Sequence, residues 1–369
     1  MLCVLAGIAI AATPPAAQEI VRSKEQLGII GWRTNGKLLY HVGTQLREWP
    51  SGRTAKLPKP PENFVGSAVS QKLQEPGGDR WLINGLIFDA HDFKFGASFG
   101  GELENPFWAG GSVGHLVTSE DDHQNQTAWI VHKGQKRQLD GAWCYQAISS
   151  DGVFLAATRD VLFVDNDLYV VRYDSQTGSV KPVRKYPKAV DDHRTPGGPA
   201  WNAVATAFLI TLCSPGPCWT MLGRETLKPI RARGDAQAAC WWIEPNSSLF
   251  LAYCSWESGQ RVTDPSTRFP VHYADHTAIV IQDARTGRKQ TLLEATQRFV
   301  NPSRAEGSTI RAGSTQIEDV DLDLLRRRLA YVIIEEESDS TRSAYSASEP
   351  RFSRLLVKGV DLRITTAAR

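Results

Sequence analysis

The sequence predicts an all-β fold, a single β-propeller of about seven four-stranded blades, with six to eight blades as the range. Three observations predict it: a composition rich in turn formers and aromatic residues, many apolar runs of strand length, and units that repeat along the chain. The 369 residues include 30 Gly, 20 Pro and 11 Trp but only 2 Met. Gly and Pro are typical of turns, and aromatic residues favour strands. No segment has the periodicity of a strong amphipathic helix.

The N-terminal segment predicts export. Residues 1–12 read MLCVLAGIAIAA, an uncharged apolar run that is too short to cross a membrane. Thr13-Pro14-Pro15 follows at once, and Ala9-Ile10-Ala11 and Ala16-Ala17 provide small residues for cleavage. We predict a signal peptide over residues 1–17, a propeller domain over 18–369, a periplasmic or secreted location and no membrane span. A buried first strand is the alternative interpretation of the apolar run.

The cysteines agree with an oxidising compartment. Cys213 and Cys218 flank the turn sequence Ser-Pro-Gly-Pro between two apolar runs, so we predict that they form a disulfide across a hairpin. Two unrelated buried thiols are the alternative. Cys240 and Cys254 flank a second hairpin sequence and form a second candidate pair. Cys144 is then predicted to be a small core residue.

Short apolar runs recur with turn residues between them, and each has the length and composition of a strand. The clearest are KLLYHV (37–42), TAWIVHK (127–133), VFLAAT (153–158), LYVVRYD (168–174), AFLITL (207–212), LFLAYC (249–254), AIVIQD (278–283), LAYVII (329–334) and RLLVKGVDLRI (354–364). The segment IEDVDLDLLRRR (317–328) fits either one or two helical turns or a strand that ends in a charged turn. Residues 256–276 and 338–351 are predicted to be inserted loops.

Two pairs of segments repeat. SSDGVFLAA begins at position 149 and PNSSLFLAY at position 245, which is 96 residues later, and the run 207–212 lies near the midpoint. The unit is therefore predicted to be about 48 residues. Asp174-Ser-Gln-Thr-Gly178 and Asp283-Ala-Arg-Thr-Gly287 both follow a strand, and an Asp at this position caps the turn while Gly takes the left-handed conformation. Units of this length with about four strands are typical of propeller blades.

These repeats resemble the WD40-like propeller repeats of the TolB family. Ser150-Asp151-Gly152 with Leu155-Ala156 matches the family's turn and strand without its proline, and Leu251-Ala252-Tyr253 matches the strand without the Asp-Gly. Both Asp-x-x-Thr-Gly turns match fully. The resemblance covers about a third of the chain, while residues 61–141 do not align. It implies a propeller in an extracytoplasmic setting and a binding or scaffold role.

The motifs that could carry chemistry are weak. Gly96-Ala-Ser-Phe-Gly100 and Gly110-Gly-Ser-Val-Gly114 fit the nucleophile pattern Gly-x-Ser-x-Gly, but no helical pattern follows either one, so chance loops are the preferred interpretation. Acid and histidine clusters also occur, and they provide the residues to inspect for a catalytic site: Asp89, His91, Asp92, Asp191 and His193. No spacing shows that three or four ligands converge, so no metal and no cofactor are predicted. Packing between blades is predicted for Trp81, Trp108, Trp201 and the pair Trp241-Trp242, and stacking on a ligand is the alternative.

The functional prediction is an exported module that binds a protein or peptide or acts as a scaffold. A carbohydrate partner is possible. The net charge of +2 argues against nucleic acid, which needs a concentrated basic face. The competing hypothesis is a propeller enzyme, a glycoside hydrolase or lyase with a carboxylate site in the central funnel. An enzyme needs two carboxylates, or a carboxylate and a His, in one polar pocket with a shifted pKa.

Overall fold

A computed structural model provides the architecture of the chain. Strands, turns and bends make up the part of the chain that it describes, and no helix occurs there, in agreement with the predicted all-β class. The described residues are 16–60, 68–99, 103, 105–120, 126–141, 143–149, 152–159, 167–186, 197–201, 207–211, 219–223, 240–242, 249–258, 272–283, 286, 288–300, 310–312, 314–336 and 351–362.

The described residues form 28 strands. In chain order the strands are Gln18–Ser23 (β1), Leu27–Trp32 (β2), Leu38–Val42 (β3), Gln45–Trp49 (β4), Thr54–Lys56 (β5), Lys72–Gln74 (β6), Arg80–Ile83 (β7), Leu86–Asp89 (β8), Lys94–Ser98 (β9), Pro106–Ala109 (β10), Ser112–Glu120 (β11), Gln126–His132 (β12), Gln135–Gln138 (β13), Cys144–Ile148 (β14), Phe154–Thr158 (β15), Leu168–Tyr173 (β16), Val180–Tyr186 (β17), Gly197–Trp201 (β18), Ala207–Thr211 (β19), Trp219–Gly223 (β20), Cys240–Trp242 (β21), Leu249–Ser258 (β22), His272–Asp283 (β23), Lys289–Val300 (β24), Ile310–Ala312 (β25), Ser314–Asp323 (β26), Arg328–Glu336 (β27) and Arg351–Gly359 (β28).

These strands assemble into seven antiparallel sheets, counted over the described residues, and this number is consistent with the predicted seven blades. Within a sheet, strands that follow one another in the chain are hydrogen-bonded neighbours, so six of these sheets are meanders and the seventh is a meander of β26–β28 to which β1 is added. We number the sheets as blades in chain order: β2–β5 (blade 1), β6–β9 (blade 2), β10–β13 (blade 3), β14–β17 (blade 4), β18–β20 (blade 5), β21–β25 (blade 6) and β26–β28 with β1 (blade 7).

Apolar side chains of neighbouring blades pack against each other. A strand that is covered on both faces is apolar at nearly every position, and β2 is buried throughout for this reason. Shared cores lie between blades 6 and 7, 7 and 1, 1 and 2, 2 and 3, and 3 and 4. Each core contains buried side chains of both blades. Examples are Ile281 with Leu322, Ile29 with Val332, Leu39 with Trp81, Leu82 with Trp108, and Leu116 with Leu155.

The N-terminal strand closes the ring. Strand β1 pairs with β28 and is thereby the outermost strand of blade 7, although the other strands of that blade come from the far end of the chain. Ile20 and Val21 of β1 pack against the core that blades 7 and 1 share. Glu19 accepts a hydrogen bond from Arg354 Nε at 2.6 Å. The chain is a β-propeller.

The repeat found in the sequence corresponds to the blades. Strands β15, β19 and β22, which contain the runs at 154–158, 207–211 and 249–254, are the second strands of blades 4, 5 and 6. The offset of 96 residues therefore spans two blades. Both Asp-x-x-Thr-Gly turns join the third and fourth strands of a blade. In the first turn, Asp174 accepts hydrogen bonds from the N–H groups of Gln176 and Thr177, and Gly178 has a φ of 77°, as predicted.

Some local predictions differ from the structure. Residues 317–328 form the end of β26, a turn and the start of β27, so the strand interpretation is confirmed and the helical one is wrong. Part of the predicted loop at 256–276 is strand, because β22 continues to Ser258 and β23 begins at His272, with Ser258 opposite Ala274. Within the described residues, blade 5 has three strands and blade 6 has five.

Arginines connect the turns of neighbouring blades. Arg326 of blade 7 donates to Thr34 O of blade 1 at 3.0 Å, and Arg53 of blade 1 donates to His91 O of blade 2 at 3.2 Å. Arg80 of blade 2 donates to Gly111 O of blade 3 at 3.1 Å, and Arg137 of blade 3 donates to the carbonyl of Gln176 in blade 4. At four successive blade junctions, an arginine thus satisfies a turn carbonyl of the next blade.

Candidate functional site

The predicted residues Asp89, His91 and Asp92 form the turn between the third and fourth strands of blade 2. Asp89 Oδ1 accepts hydrogen bonds from the N–H groups of His91 at 2.8 Å and Asp92 at 3.3 Å, so its carboxylate caps the turn. His91 and Asp92 are exposed, and the carbonyl of His91 accepts the guanidinium of Arg53. These three residues therefore lie toward the outer part of the blade and stabilise a hairpin.

Several predicted residues lie outside the described part of the chain. They are Asp191, His193, Cys213, Cys218 and residues 1–15 of the predicted signal peptide. Strands β21 and β22 carry Cys240 and Cys254, and Cys240 lies opposite Ala252, two residues from Cys254. Their disulfide remains a prediction. Cys144 is buried in β14.

The second Gly-x-Ser-x-Gly segment forms a hairpin turn. Gly110 and Gly111 have φ values of 53° and 72°, and Ser112 begins β11, so a strand follows this serine. Ser112 Oγ lies 2.8 Å from His132 Nε2 and donates to Ala109 O at 3.0 Å. Burial lowers the pKa of His132. A nucleophile elbow requires a strand, a turn and a helix, which differs from this strand–turn–strand context.

Acidic side chains from blade 7 hold the free edge of β2. Because β2 is the first strand of blade 1, β3 pairs with only one of its edges. On its other edge, the Ile29 N–H donates to Asp319 Oδ2 at 2.8 Å and the Trp32 N–H donates to Asp321 Oδ2 at 3.0 Å. Both aspartates lie on β26, two residues apart, so they point to the same side of that strand.

Side chains from blade 2 hold the same edge from the other direction. Lys72 Nζ donates to Ile29 O at 2.5 Å, and Gln74 Nε2 donates to Trp32 O at 3.2 Å. Lys72 and Gln74 lie on β6, the first strand of blade 2, and are also two residues apart. The first strands of blades 7, 1 and 2 thus meet in one polar cluster, which we call the axial junction: Ile29, Trp32, Lys72, Gln74, Asp319 and Asp321.

The charges of the axial junction have different environments. Lys72 Nζ lies 3.2 Å from Asp319 Oδ2, and both side chains are partly exposed, at 41% and 26%. Asp321 retains some exposed surface, but protein encloses its carboxyl group, and this burial raises the pKa of Asp321 to about 6. His41 on β3 is buried behind the junction, and burial lowers its pKa, so its imidazole is neutral at pH 7.

Gly31 provides the space in which three polar groups approach each other. A Cβ at this position would lie 3.2 Å from Trp81 Nε1, 3.5 Å from Asp321 Oδ2 and 3.8 Å from Gln74 Oε1. Trp81 is fully buried, and its Nε1 has no hydrogen-bond partner in the described part of the structure. A larger residue at position 31 would therefore displace groups of the axial junction. Trp81 and Trp108 both pack in the core, as predicted.

Cations are concentrated on the outer strands of blades 3 and 4, and Lys181 and Lys185 lie on opposite faces of β17. Strands β13 and β17 contain five cations and no acid in their sequences QKRQ and VKPVRKY. Arg172, on the third strand of blade 4, lies opposite Lys181 and is also exposed. We call this surface the basic edge: Lys136, Arg137, Arg172, Lys181, Val183, Arg184 and Lys185. The bond from Arg137 to the Gln176 carbonyl joins its two halves.

No group of three or more His, Cys, Asp and Glu side chains in the described part of the chain is arranged to hold a metal ion. No helix there has the length and apolar character needed to cross a membrane.

Comparison with known proteins shows similarity of fold. No family model and no curated protein matches the chain. Among solved structures, the WD40 repeats of RRP9 align with a TM-score of 0.46 and 11% identity over 94% of this chain and 100% of that one. An oligogalacturonate lyase in complex with manganese aligns with a TM-score of 0.36 and 9% identity over 92% of this chain and 98% of that one.

A third structure matches over a smaller part. The β-propeller domain of the Trilobed protease from Pyrococcus furiosus aligns with a TM-score of 0.34 and 13% identity over 63% of this chain and 78% of that one. Similarity at these levels concerns the propeller fold alone. It says nothing about a ligand or an activity of this chain.

The residues of the axial junction were not among those singled out from the sequence. One signal was present, because Asp319, Asp321 and Asp323 alternate with apolar residues, which on a strand places three carboxylates on one face. The pattern is informative only on a strand, and the sequence left both a strand and helical turns open for residues 317–328. Lys72 and Gln74 carry no comparable signal, since a single Lys-x-Gln is too common to be informative.

Proposed function

We propose that this chain is an exported β-propeller that binds a protein partner or serves as a scaffold. The observation that carries the proposal is the basic edge, where cations are concentrated on the outer strands of two adjacent blades with no acid on those strands, although Lys185 pairs with Asp167 of the same blade. Charged surfaces of one sign guide and orient partners in protein association. The net charge of the whole chain is only +2, so this surface is a local concentration of positive charge.

The bonding of the axial carboxylates gives them a structural role. Asp319 accepts the N–H groups of Ile29 and Val320, and Asp321 accepts those of Trp32 and Leu322. Each of the four carboxylate oxygens therefore accepts a backbone hydrogen bond. These bonds stabilise the junction of three blades, and each oxygen keeps a second lone pair.

Crosslinking in the native host tests the binding proposal. An amine-reactive crosslinker applied to intact cells, followed by mass spectrometry, should repeatedly recover one protein joined to this chain. The same crosslinks should be absent when the cells are lysed and diluted before the reagent is added. Recovery of this chain only as an uncrosslinked species over a range of reagent concentrations would contradict the proposal.

Export is part of the proposal and rests on the sequence of the first 17 residues. Mass spectrometry of protein from the native host should find a mature N-terminus between residues 12 and 18 and a disulfide-linked peptide that contains Cys213 and Cys218. An intact N-terminus together with reduced thiols in the cytosol would overturn this part. Its failure leaves the binding proposal open to its own test.

A propeller enzyme is the second candidate, and the axial junction is the observation that favours it. It combines a partly exposed Lys72–Asp319 pair with Asp321, whose pKa burial raises to about 6. The purified protein should be assayed on a panel of neutral and acidic polysaccharides for reducing ends and for the absorbance of unsaturated products. Turnover that Asp319→Asn abolishes while the fold is retained would establish the enzyme. No turnover on the panel is expected if binding is the function.

A further inference from the structure

Like charges face each other at the basic edge. Arg172 on β16 and Lys181 on β17 are directly opposite in the register of these strands, and both are exposed. A pair of like charges at such positions destabilises a sheet. Hydrogen bonds from the turn, first from the Gln176 N–H, and the charge of Lys181 lower the pKa of the nearby Asp174, so this carboxylate offsets part of the repulsion. An anionic group from a partner would relieve the repulsion that remains.

An apolar side chain lies among these cations. Val183 is 46% exposed, which makes it one of three large hydrophobic side chains with high exposure among the described residues. It lies at a bulge, because Val170 pairs with Arg184 while Val171 pairs with Pro182. The surface thus combines positive charge with a small apolar contact, a combination that suits a protein partner.

The same residues disfavour addition of a strand from another molecule. Strand β17 is the last strand of its sheet, so its outer edge pairs with no other strand among the described residues. Pro182 has no N–H to donate, and a bulge twists the edge, and both features obstruct strand pairing. A partner therefore meets the side chains of this surface and not its backbone.

We propose that the basic edge docks an acidic segment of a partner protein, in which Asp or Glu side chains face Arg172 and Lys181 and one apolar side chain covers Val183. This inference rests on the proposed protein-binding function and names the chemistry of the partner. Nucleic acid fits less well, because a phosphate backbone would leave Val183 uncovered and tight binding of DNA draws on about six to ten phosphate contacts.

Fluorescence anisotropy with synthetic peptides tests the docking surface. The probe is a labelled 15-residue peptide of Glu and Asp with a central Leu-Val, and its control replaces each acid with Gln or Asn. We expect the acidic peptide to bind and the neutral one not to bind, with affinity falling as salt is raised. Replacing both Arg172 and Lys181 by Glu should weaken binding by about tenfold or more, on the order of 1.4 kcal/mol.

A set of variants distinguishes a loss of peptide binding that is caused by charge from one that is caused by lower stability. The double substitution keeps a like-charge pair, so stability should change little. Arg172→Glu alone creates an opposite-charge pair, and it should raise the melting temperature while it weakens peptide binding. Val183→Asp should also weaken binding. The matched control is Lys56→Glu, which reverses an exposed lysine on the outer strand of blade 1, opposite the neutral Gln45, and should change the affinity less than twofold.

Three results would overturn the proposal. They are equal binding of the acidic and neutral peptides, equal weakening by Lys56→Glu and by the double variant, and stronger binding of a 20-nucleotide oligo-dT or of anionic vesicles than of the acidic peptide. The crosslinked partner distinguishes this failure from that of the protein-binding function. If the double variant still crosslinks the same partner in cells, the docking surface is wrong and the binding function stands.

Discussion

At Asp321, burial outweighs hydrogen bonding in setting the protonation of one carboxyl group. Burial favours the neutral acid, whereas Lys72 and the N–H groups of Trp32 and Leu322 favour the anion, and the resulting pKa is about 6. Because this value is above the ordinary 3.8, the folded protein holds the proton more tightly than the unfolded chain. The stabilisation is fully present below pH 3.8 and is lost as the pH rises through 6, by about 3 kcal/mol in all.

Asp321→Asn should therefore stabilise the protein at high pH. The amide keeps an acceptor for the Trp32 N–H and carries no charge to bury, but it loses an acceptor for the Leu322 N–H, which costs about 1 kcal/mol. We expect the free energy of unfolding to rise by about 1 to 2 kcal/mol at pH 8, with no gain at pH 4. Urea unfolding at both values measures the difference.

Asp319→Asn is the matched control for this prediction. It changes the same side chain two residues away on β26, but it removes the partner of Lys72 and should not stabilise the protein at pH 8. A loss of stability in Asp321→Asn that is equal at pH 4 and pH 8 would show that the charge of Asp321 has no energetic cost.

A side chain at position 28 would occupy space that the His41 ring fills, so this pair of residues tests the packing near the axial junction. A Cβ on Gly28 would lie 2.5 Å from His41 Nε2, and His41 is buried with Nδ1 3.0 Å from Gly43 O. Gly28→Ala should destabilise the protein by about 1 to 3 kcal/mol. Combined with His41→Ala, which removes the obstructing ring, the same change should cost at least about 1 kcal/mol less. Additive free energies of unfolding in this cycle would contradict the contact.

At the scale of single elements, the strands were predictable and the contacts between blades were not. The run LYVVRYD predicted a strand because it is rich in β-branched and aromatic residues, and β16 occupies it. The Asp174 turn was predictable because its hydrogen bonds are local. By contrast, Asp319 bonds to a residue 290 positions away, and no spacing within one strand records such a partner.

The arginine contacts between blades carry a prediction for Arg80. Its guanidinium pairs with Glu75, donates to Gly111 O of blade 3 and lies 5.2 Å from the centre of the Trp108 ring. Arg80→Ala should lower the free energy of unfolding by about 1 to 2 kcal/mol. Arg80→Lys should recover less than half of that loss, because an ammonium group lacks the planar fork of donors.

Arg47 provides the control for the arginine prediction. Its Nε donates to Gln45 within the same strand at 2.9 Å, so Arg47→Ala should change the free energy of unfolding by less than about 0.5 kcal/mol. If Arg47→Ala and Arg80→Ala lower the free energy of unfolding by the same amount, the contact between blades 2 and 3 does not contribute the predicted stability.

At the scale of the whole molecule, the period of the sequence predicted a number of blades with which the seven described sheets are consistent, but it did not predict the closure of the ring. A unit of about 48 residues predicts about seven blades for a chain of this length. Strand β1 has no repeat signature, since it completes a blade whose other strands lie at the far end of the chain. The basic edge was also missed, because the net charge of the whole chain is close to zero and β13 and β17 are 42 residues apart at their ends nearest in sequence.

Removing β1 tests the importance of closure. Deletion of residues 16–23 leaves the outer edge of β28 unpaired and takes Ile20 and Val21 out of the shared core of blades 7 and 1. We expect the melting temperature to fall by about 10 °C or more and the unfolding transition to broaden. Glu19→Ala keeps the strand and removes only an exposed ion pair, so its melting temperature should change by about 1 °C at most. Equal melting temperatures for the deletion and the full chain would refute this role of β1.

Because the ring closes through β1 and β28, the two strands of this pair are synthesised at very different times. Glu19 and its partner Arg354 are 335 residues apart, so at synthesis rates of about 5 to 20 residues per second β1 exists for roughly 20 to 70 seconds before β28 is made. During that interval its backbone groups have no native partner. A nascent chain nearby offers the same β28 edge as soon as it is complete. Whatever protects β1 while it waits, be it a chaperone or a slow passage across a membrane, decides whether the ring closes on itself or on its neighbour.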